Sequence, residues 1–87
     1  MDLSSKHRHT LDAIFQTPVR ADVAWAEVER LFVALGADVS EGAGSRVRVA
    51  LGGVRAVFHR PHPERETDRG ALRSVRRFLA QAGVSPS

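Results

Sequence analysis

Apolar residues along this chain recur first at helical spacing, then at every second position, then at helical spacing again. Leu11, Ile14 and Phe15 form an i, i+3, i+4 patch that predicts a helix over residues 4–17, stopped by Pro18. Residues 18–23 read as a link. A second helix follows to about Leu35, with Val28, Leu31, Phe32 and Leu35 on one stripe and Glu27, Glu29 and Arg30 off it. Gly36 suits the position just past its end, and Trp25 near its start reads as a core or staple residue. From residue 46 the period becomes two: Val47, Val49 and Leu51 alternate with Arg46, Arg48 and Ala50. Val54, Ala56 and Phe58 then alternate with Arg55, Val57 and His59.

Between those runs lies Gly52-Gly53, which as a two-residue loop fixes the register of a β-hairpin. Leu51 then faces Val54, Val49 faces Ala56 and Val47 faces Phe58 on one side. On the other side Ala50 faces Arg55, Arg48 faces Val57, and Arg46 stands directly across from His59, with Cβ atoms expected about 4.5–5.5 Å apart. Ala37 to Glu41 predicts a short preceding strand, closed by Gly42-Ala43-Gly44. Pro61 and Pro63 end the third strand, since neither can donate to a ladder. A last helix is expected from about Arg69 to Ala82, with Thr67 or Asp68 as its N-cap and Gly83 as its stop. Its buried stripe is read as Ala71, Val75, Phe78, Leu79 and Ala82, with Arg69, Arg73, Arg76 and Arg77 together on another face.

The order α-α-β-β-β-α predicts an α+β two-layer sandwich with a three-stranded antiparallel sheet. Helices two and three should cover the face of Val47, Val49, Leu51, Ala56 and Phe58. The opposite face stays open to solvent or ligand.

Composition sharpens the picture. The chain has 87 residues, a net charge of +3 and no cysteine, which excludes disulfides and thiolate metal sites. Residues 1–43 hold seven acidic and four basic side chains, whereas residues 44–87 hold three and nine. A cationic half of this kind points to a polyanionic ligand or an acidic protein partner. No apolar run is long enough to span a membrane, and the polar start Met1-Asp2-Leu3-Ser4-Ser5-Lys6 does not read as a signal peptide. A cytoplasmic location is therefore expected, with no membrane partner. No His-Glu-x-x-His, carboxylate cluster or Ser-His-Asp arrangement stands in a convincing context, and His7 and His9 at i, i+2 on a helix point apart. No cofactor and no metal is expected.

Several elements in their order and spacing resemble the HicA toxins of bacterial toxin–antitoxin pairs. They are a helix ending Leu31-Phe32-Val33-Ala34-Leu35-Gly36-Ala37, the Gly44-Ser45 pair entering strand two, the hairpin, the pair His62-Pro63, and Gly70-Ala71-Leu72-Arg73-Ser74-Val75 opening the last helix. The resemblance covers roughly residues 24–84 and leaves residues 1–23 as an N-terminal helical extension to a domain over residues 24–87. It implies a fold like a double-stranded-RNA-binding domain, an mRNA interferase activity, and neutralisation by a HicB-like antitoxin protein. In that family the Gly-Ser pair is usually followed by the histidine held to be catalytic; here Arg46 stands in its place.

Metal-free RNA cleavage needs a base for the 2′-OH proton, an acid for the 5′ leaving oxygen and cations for the transition state. Histidine can serve either proton role, whereas arginine keeps its proton and only stabilises charge. The register supplies a substitute, with His59 as general base or acid and Arg46 gripping the scissile phosphate. His62, held between two prolines, suits either turn packing or a second catalytic group. Ser45, Arg48, Arg55 and Arg60 would extend the RNA contact over the open face, and Arg73, Arg76 and Arg77 would add an RNA or antitoxin contact. Two readings stay open here: a ribonuclease, or a catalytically degenerate module that holds RNA or an antitoxin without cutting.

Overall fold

A computed structural model describes residues 3–20, 22–61 and 65–86. Its elements run in the order α1 (Ser5–Ile14), α2 (Trp25–Ala34), β1 (Asp38–Glu41), β2 (Arg46–Leu51), β3 (Val54–His59) and α3 (Arg69–Gln81). From α2 onward this is the α-β-β-β-α succession of a double-stranded-RNA-binding-like fold. The strands form one antiparallel sheet in the order β1-β2-β3.

The hairpin has the register its sequence dictates, from Leu51 opposite Val54 at the tip to Arg46 opposite His59 at the open end. Gly52 and Gly53 both have positive φ, +57° and +80°, as a type I′ turn requires. A Cβ on Gly52 would lie 3.1 Å from the carbonyl oxygen of Ala82, so the hairpin tip also abuts the end of α3. β1 joins the other edge of β2, with Asp38 opposite Ala50 and Ser40 opposite Arg48.

α2 and α3 pack on the face that carries Val47, Val49 and Phe58, all buried. An aromatic cluster joins the two helices to the sheet. Phe32 stacks on Phe58 at 5.7 Å between centroids, and Phe78 meets both edge-on at 5.8 Å. Trp25 approaches Phe58 at 6.0 Å. Each such pair contributes roughly 0.5–1.5 kcal/mol beyond area burial. The stripe of α3 departs from expectation in one respect: Leu72 is fully buried, whereas Ala71 and Ala82 are only half-buried. The helix has rotated toward its larger side chain, because burying a leucine removes far more apolar surface from water than burying an alanine. Asp68 is the N-cap, its Oδ1 accepting from the Ala71 amide at 2.8 Å. A short backbone bridge ties the starts of the two helices: Thr67 donates to the Val23 carbonyl at 2.7 Å and Trp25 to that of Arg65 at 3.1 Å.

α1 docks on this same body. Thr10, Leu11, Ala13 and Ile14 are buried, and the three apolar ones belong to the common core. The helix ends at Ile14, short of the expected Thr17, since Pro18 has no N–H for the Ile14 carbonyl four residues back and its ring would clash with it. Arg76 of α3 supplies the partners for its end, donating from Nε to the Ile14 carbonyl at 3.0 Å and from Nη2 to that of Gln16 at 2.5 Å. The same guanidinium lies over the Phe15 ring, 5.9 Å from its centroid. No helix among the described residues is long and apolar enough to cross a membrane.

Candidate functional site

The open face of the sheet is built in rows, each a set of side chains facing one another across the strands. Asp38, Ala50 and Arg55 form the row nearest the hairpin tip; Ser40, Arg48 and Val57 form the next. Arg46 and His59 form the last. Arg46, Arg48, Arg55 and His59 are all exposed, as the period-two pattern requires once Val47, Val49 and Phe58 turn inward. Trp25, Phe32, Phe58 and Phe78 are buried and Phe15 lies under Arg76, so no described phenylalanine or tryptophan stands on this face.

The Arg46–His59 row is held tightly. The Arg60 amide donates to the Ser45 carbonyl at 2.7 Å, which makes Ser45–Arg60 a hydrogen-bonded pair. Arg46–His59, one step along, is therefore the close, non-hydrogen-bonded kind, in which Cα atoms approach to about 4.5 Å. The turn before β2 fixes the approach. Gly44 has φ +66°, the Gly42 amide donates to the Arg46 carbonyl at 2.8 Å, and a Cβ on Gly42 would press on that of Arg46 at 3.2 Å. Ser45 leaves this turn with its Oγ 3.1 Å from Nε2 of His59. Whichever atom carries the hydrogen, the bond fixes the ring's rotation and leaves Nδ1 as its second proton-handling atom. The hairpin register alone did not announce this contact; the signal was that Ser45 adjoins the residue facing His59.

Arg60 does not extend the open face. One step beyond His59, it shares the parity of Phe58 and turns to the helical side. There its Nε and Nη2 donate to Glu29 at 2.6 and 2.9 Å, and its Nη1 to Glu41 at 2.8 Å. The Trp25 indole N–H also donates to Glu29. The hydrogen bonds it donates to Glu29 and then to Glu41 hold the Arg60 pKa above its ordinary value. This cation clamps the end of β3 to α2 and β1. Alternation along β3 carried the warning, because only odd positions from Arg55 share the face of His59.

Arg76 is likewise occupied, by the end of α1. Arg73 and Arg77 are exposed on α3, in the helical layer, and so form a surface separate from Arg46, Arg48 and Arg55. His62 lies outside the described residues. Among the described residues, no three His, Asp or Glu side chains converge as metal ligands would.

Chemically the last row brings together a proton-exchanging imidazole, a hydroxyl that orients it and a guanidinium beside it. Such a set can hold a phosphodiester and move a proton at it. Residues 25–84 match the family model described as HicA toxin of bacterial toxin–antitoxin. No curated protein and no solved structure matches the chain.

Proposed function

Because the chain belongs to the HicA toxin family of bacterial toxin–antitoxin systems, we propose that this toxin is an endoribonuclease that cuts mRNA without a metal. The observation that carries the reading is the contact of Ser45 Oγ with His59 Nε2, 3.1 Å, beside the facing Arg46. Catalysis by an imidazole and a guanidinium is the chemistry of an internal transesterification. The RNA 2′-oxygen attacks phosphorus and its proton passes to His59; the bond to the 5′-oxygen breaks, leaving a 2′,3′-cyclic phosphate, and the 5′-oxygen takes its proton from water. Arg46 stabilises the charge that accumulates on the phosphoryl oxygens, a contribution of the kind that is worth about 10²–10³ in rate. Ser45 acts through the ring it orients, as a positioning residue.

The exposed Arg48 and Arg55 continue the phosphate track along the sheet. The partner is a cognate antitoxin of the HicB type, an acidic protein that covers the cationic face, and both act in the cytoplasm. Arg46 at the family's histidine position favours a second reading, a module that binds RNA or antitoxin without cutting.

Purified protein on a labelled transcript separates the two. Cleavage that persists in EDTA and vanishes in His59→Ala supports the enzyme. Salt-sensitive retention with the transcript intact supports the module and overturns the enzymatic reading.

A further inference from the structure

The two rows next to His59 enclose a groove of ≈ 600 Å³ on the open face. Its lining includes Asp38, Ser40, Arg48, Ala50, Arg55 and Val57. Val57 is 58% exposed and stands beside Ala50 as apolar surface on the open face of the sheet. Arg48 and Arg55 lie on a diagonal across it, and Asp38 and Ser40 line the β1 side.

This mixture does not suit a phosphate. A phosphate gains nothing from valine and alanine methyls and is repelled by a carboxylate. It does suit a nucleobase, whose faces rest on apolar side chains and guanidinium planes and whose edge seeks hydrogen bonds. The Asp38 carboxylate only accepts, so the edge it meets must donate. Adenine, cytosine and guanine offer an exocyclic amino group, and uracil does not. In a duplex those amino groups are engaged in pairing, so the base must arrive unpaired. The rows step along the strands by about 7 Å, two residues of strand rise, which puts the groove immediately beside the Arg46–His59 row.

We propose that this groove is a nucleobase subsite for the unpaired nucleotide next to the phosphate held at Arg46 and His59, and that it selects a base bearing an exocyclic amino group. The inference rests on the ribonuclease reading and makes the substrate single-stranded RNA although the fold is like that of a double-stranded-RNA-binding domain. Arg48 and Arg55 then serve both the phosphates and the flanks of the base.

The test uses the full chain and labelled 2′-O-methyl tetranucleotides, which cannot be cut, so binding is read independently of cleavage. Fluorescence anisotropy at low salt should show oligo-A and oligo-C bound about fivefold tighter than oligo-U, as one added hydrogen bond allows. Asp38→Ala should erase that preference, bringing oligo-A and oligo-C level with oligo-U, because the acceptor for the amino group has gone. Val57→Glu should weaken all three. Equal affinities for A, C and U, a preference that survives Asp38→Ala, or a hairpin duplex bound as tightly as the tetranucleotides would each overturn the subsite. Val57→Glu that leaves every oligomer unchanged but abolishes pairing with the antitoxin would make the face a protein-docking surface instead. In all these cases cleavage of a transcript by the wild-type protein would leave the ribonuclease reading standing.

Discussion

The hydroxyl of Ser45 meets Nε2 of His59 at 3.1 Å, linking the turn before β2 to the last residue of β3. The contact exists because Ser45 is fixed at its backbone, where its carbonyl accepts the Arg60 amide. Arg60 in turn is clamped by two carboxylates. The pair at the open face is therefore positioned from the helical side of the sheet. Nothing on the open face itself has to move to bring imidazole and hydroxyl together.

His59→Ala should lower RNA cleavage at least about 100-fold, the usual weight of a general acid or base. Ser45→Ala should cost about tenfold and shift the pH–rate profile, because the ring loses the bond that orients it. Ser45→Thr keeps a hydroxyl and should restore most of the rate. A pH profile unmoved by Ser45→Ala would remove the serine from the mechanism.

Arg48→Ala and Arg55→Ala should each weaken RNA binding and reduce the slope of log K against log salt by about 0.7, the single-strand increment per phosphate contact. Arg60→Ala should leave that slope unchanged, because its guanidinium faces Glu29 and Glu41. Titrating retention against salt for the three variants distinguishes the open face from the clamp.

Arg60→Ala should instead lower stability, by about 1–2 kcal/mol. The Arg60–Glu29 side chains are 24% and 22% exposed, which places the pair between a surface ion pair and a buried one. Denaturant unfolding reads the loss as a shifted midpoint at constant slope.

Arg76→Ala should free the end of α1. A ten-residue helix does not persist in water without tertiary support, and two carbonyls lose a charged donor. The expected cost is about 1.5–3 kcal/mol. Hydrogen exchange should accelerate at the amides of α1 while those of β2 keep their protection; uniform acceleration would contradict the assignment.

Acid titration offers a further check at Asp22. Its hydrogen bond from Arg20, and the positive charge of that side chain, hold the carboxyl below its ordinary value. Since the folded pKa is depressed, the contribution to stability is complete above the unfolded carboxylate value of about 3.9 and is lost as pH falls through the folded one. Carboxyl-carbon NMR should find Asp22 titrating low in the wild type and at the ordinary position in Arg20→Gln. An unchanged titration in the variant would sever the pair.

Much of this molecule is written locally. The diglycine turn fixes the hairpin register, and with it the meeting of Arg46 and His59, because side chains alternate strictly along each strand. Gly36, Asp68 and Gly83 mark helix boundaries for reasons that need no tertiary context. Parity also separates Arg60 from His59, although a count of arginines hides it.

What the sequence determined by itself was the order of the elements, the register of the hairpin and the face left uncovered. Those follow from spacings of two and of three to four residues, and each is settled within a turn or a hairpin. Only the tertiary structure decided where the cations work. Arg76 serves Ile14 and Gln16, sixty-odd positions away, and Arg60 serves Glu29 across thirty-one. The groove likewise needs β1 to bring Asp38 and Ser40 alongside the hairpin. A guanidinium on a long flexible stem takes whichever acceptor the packed chain sets within reach, and no local pattern encodes that choice.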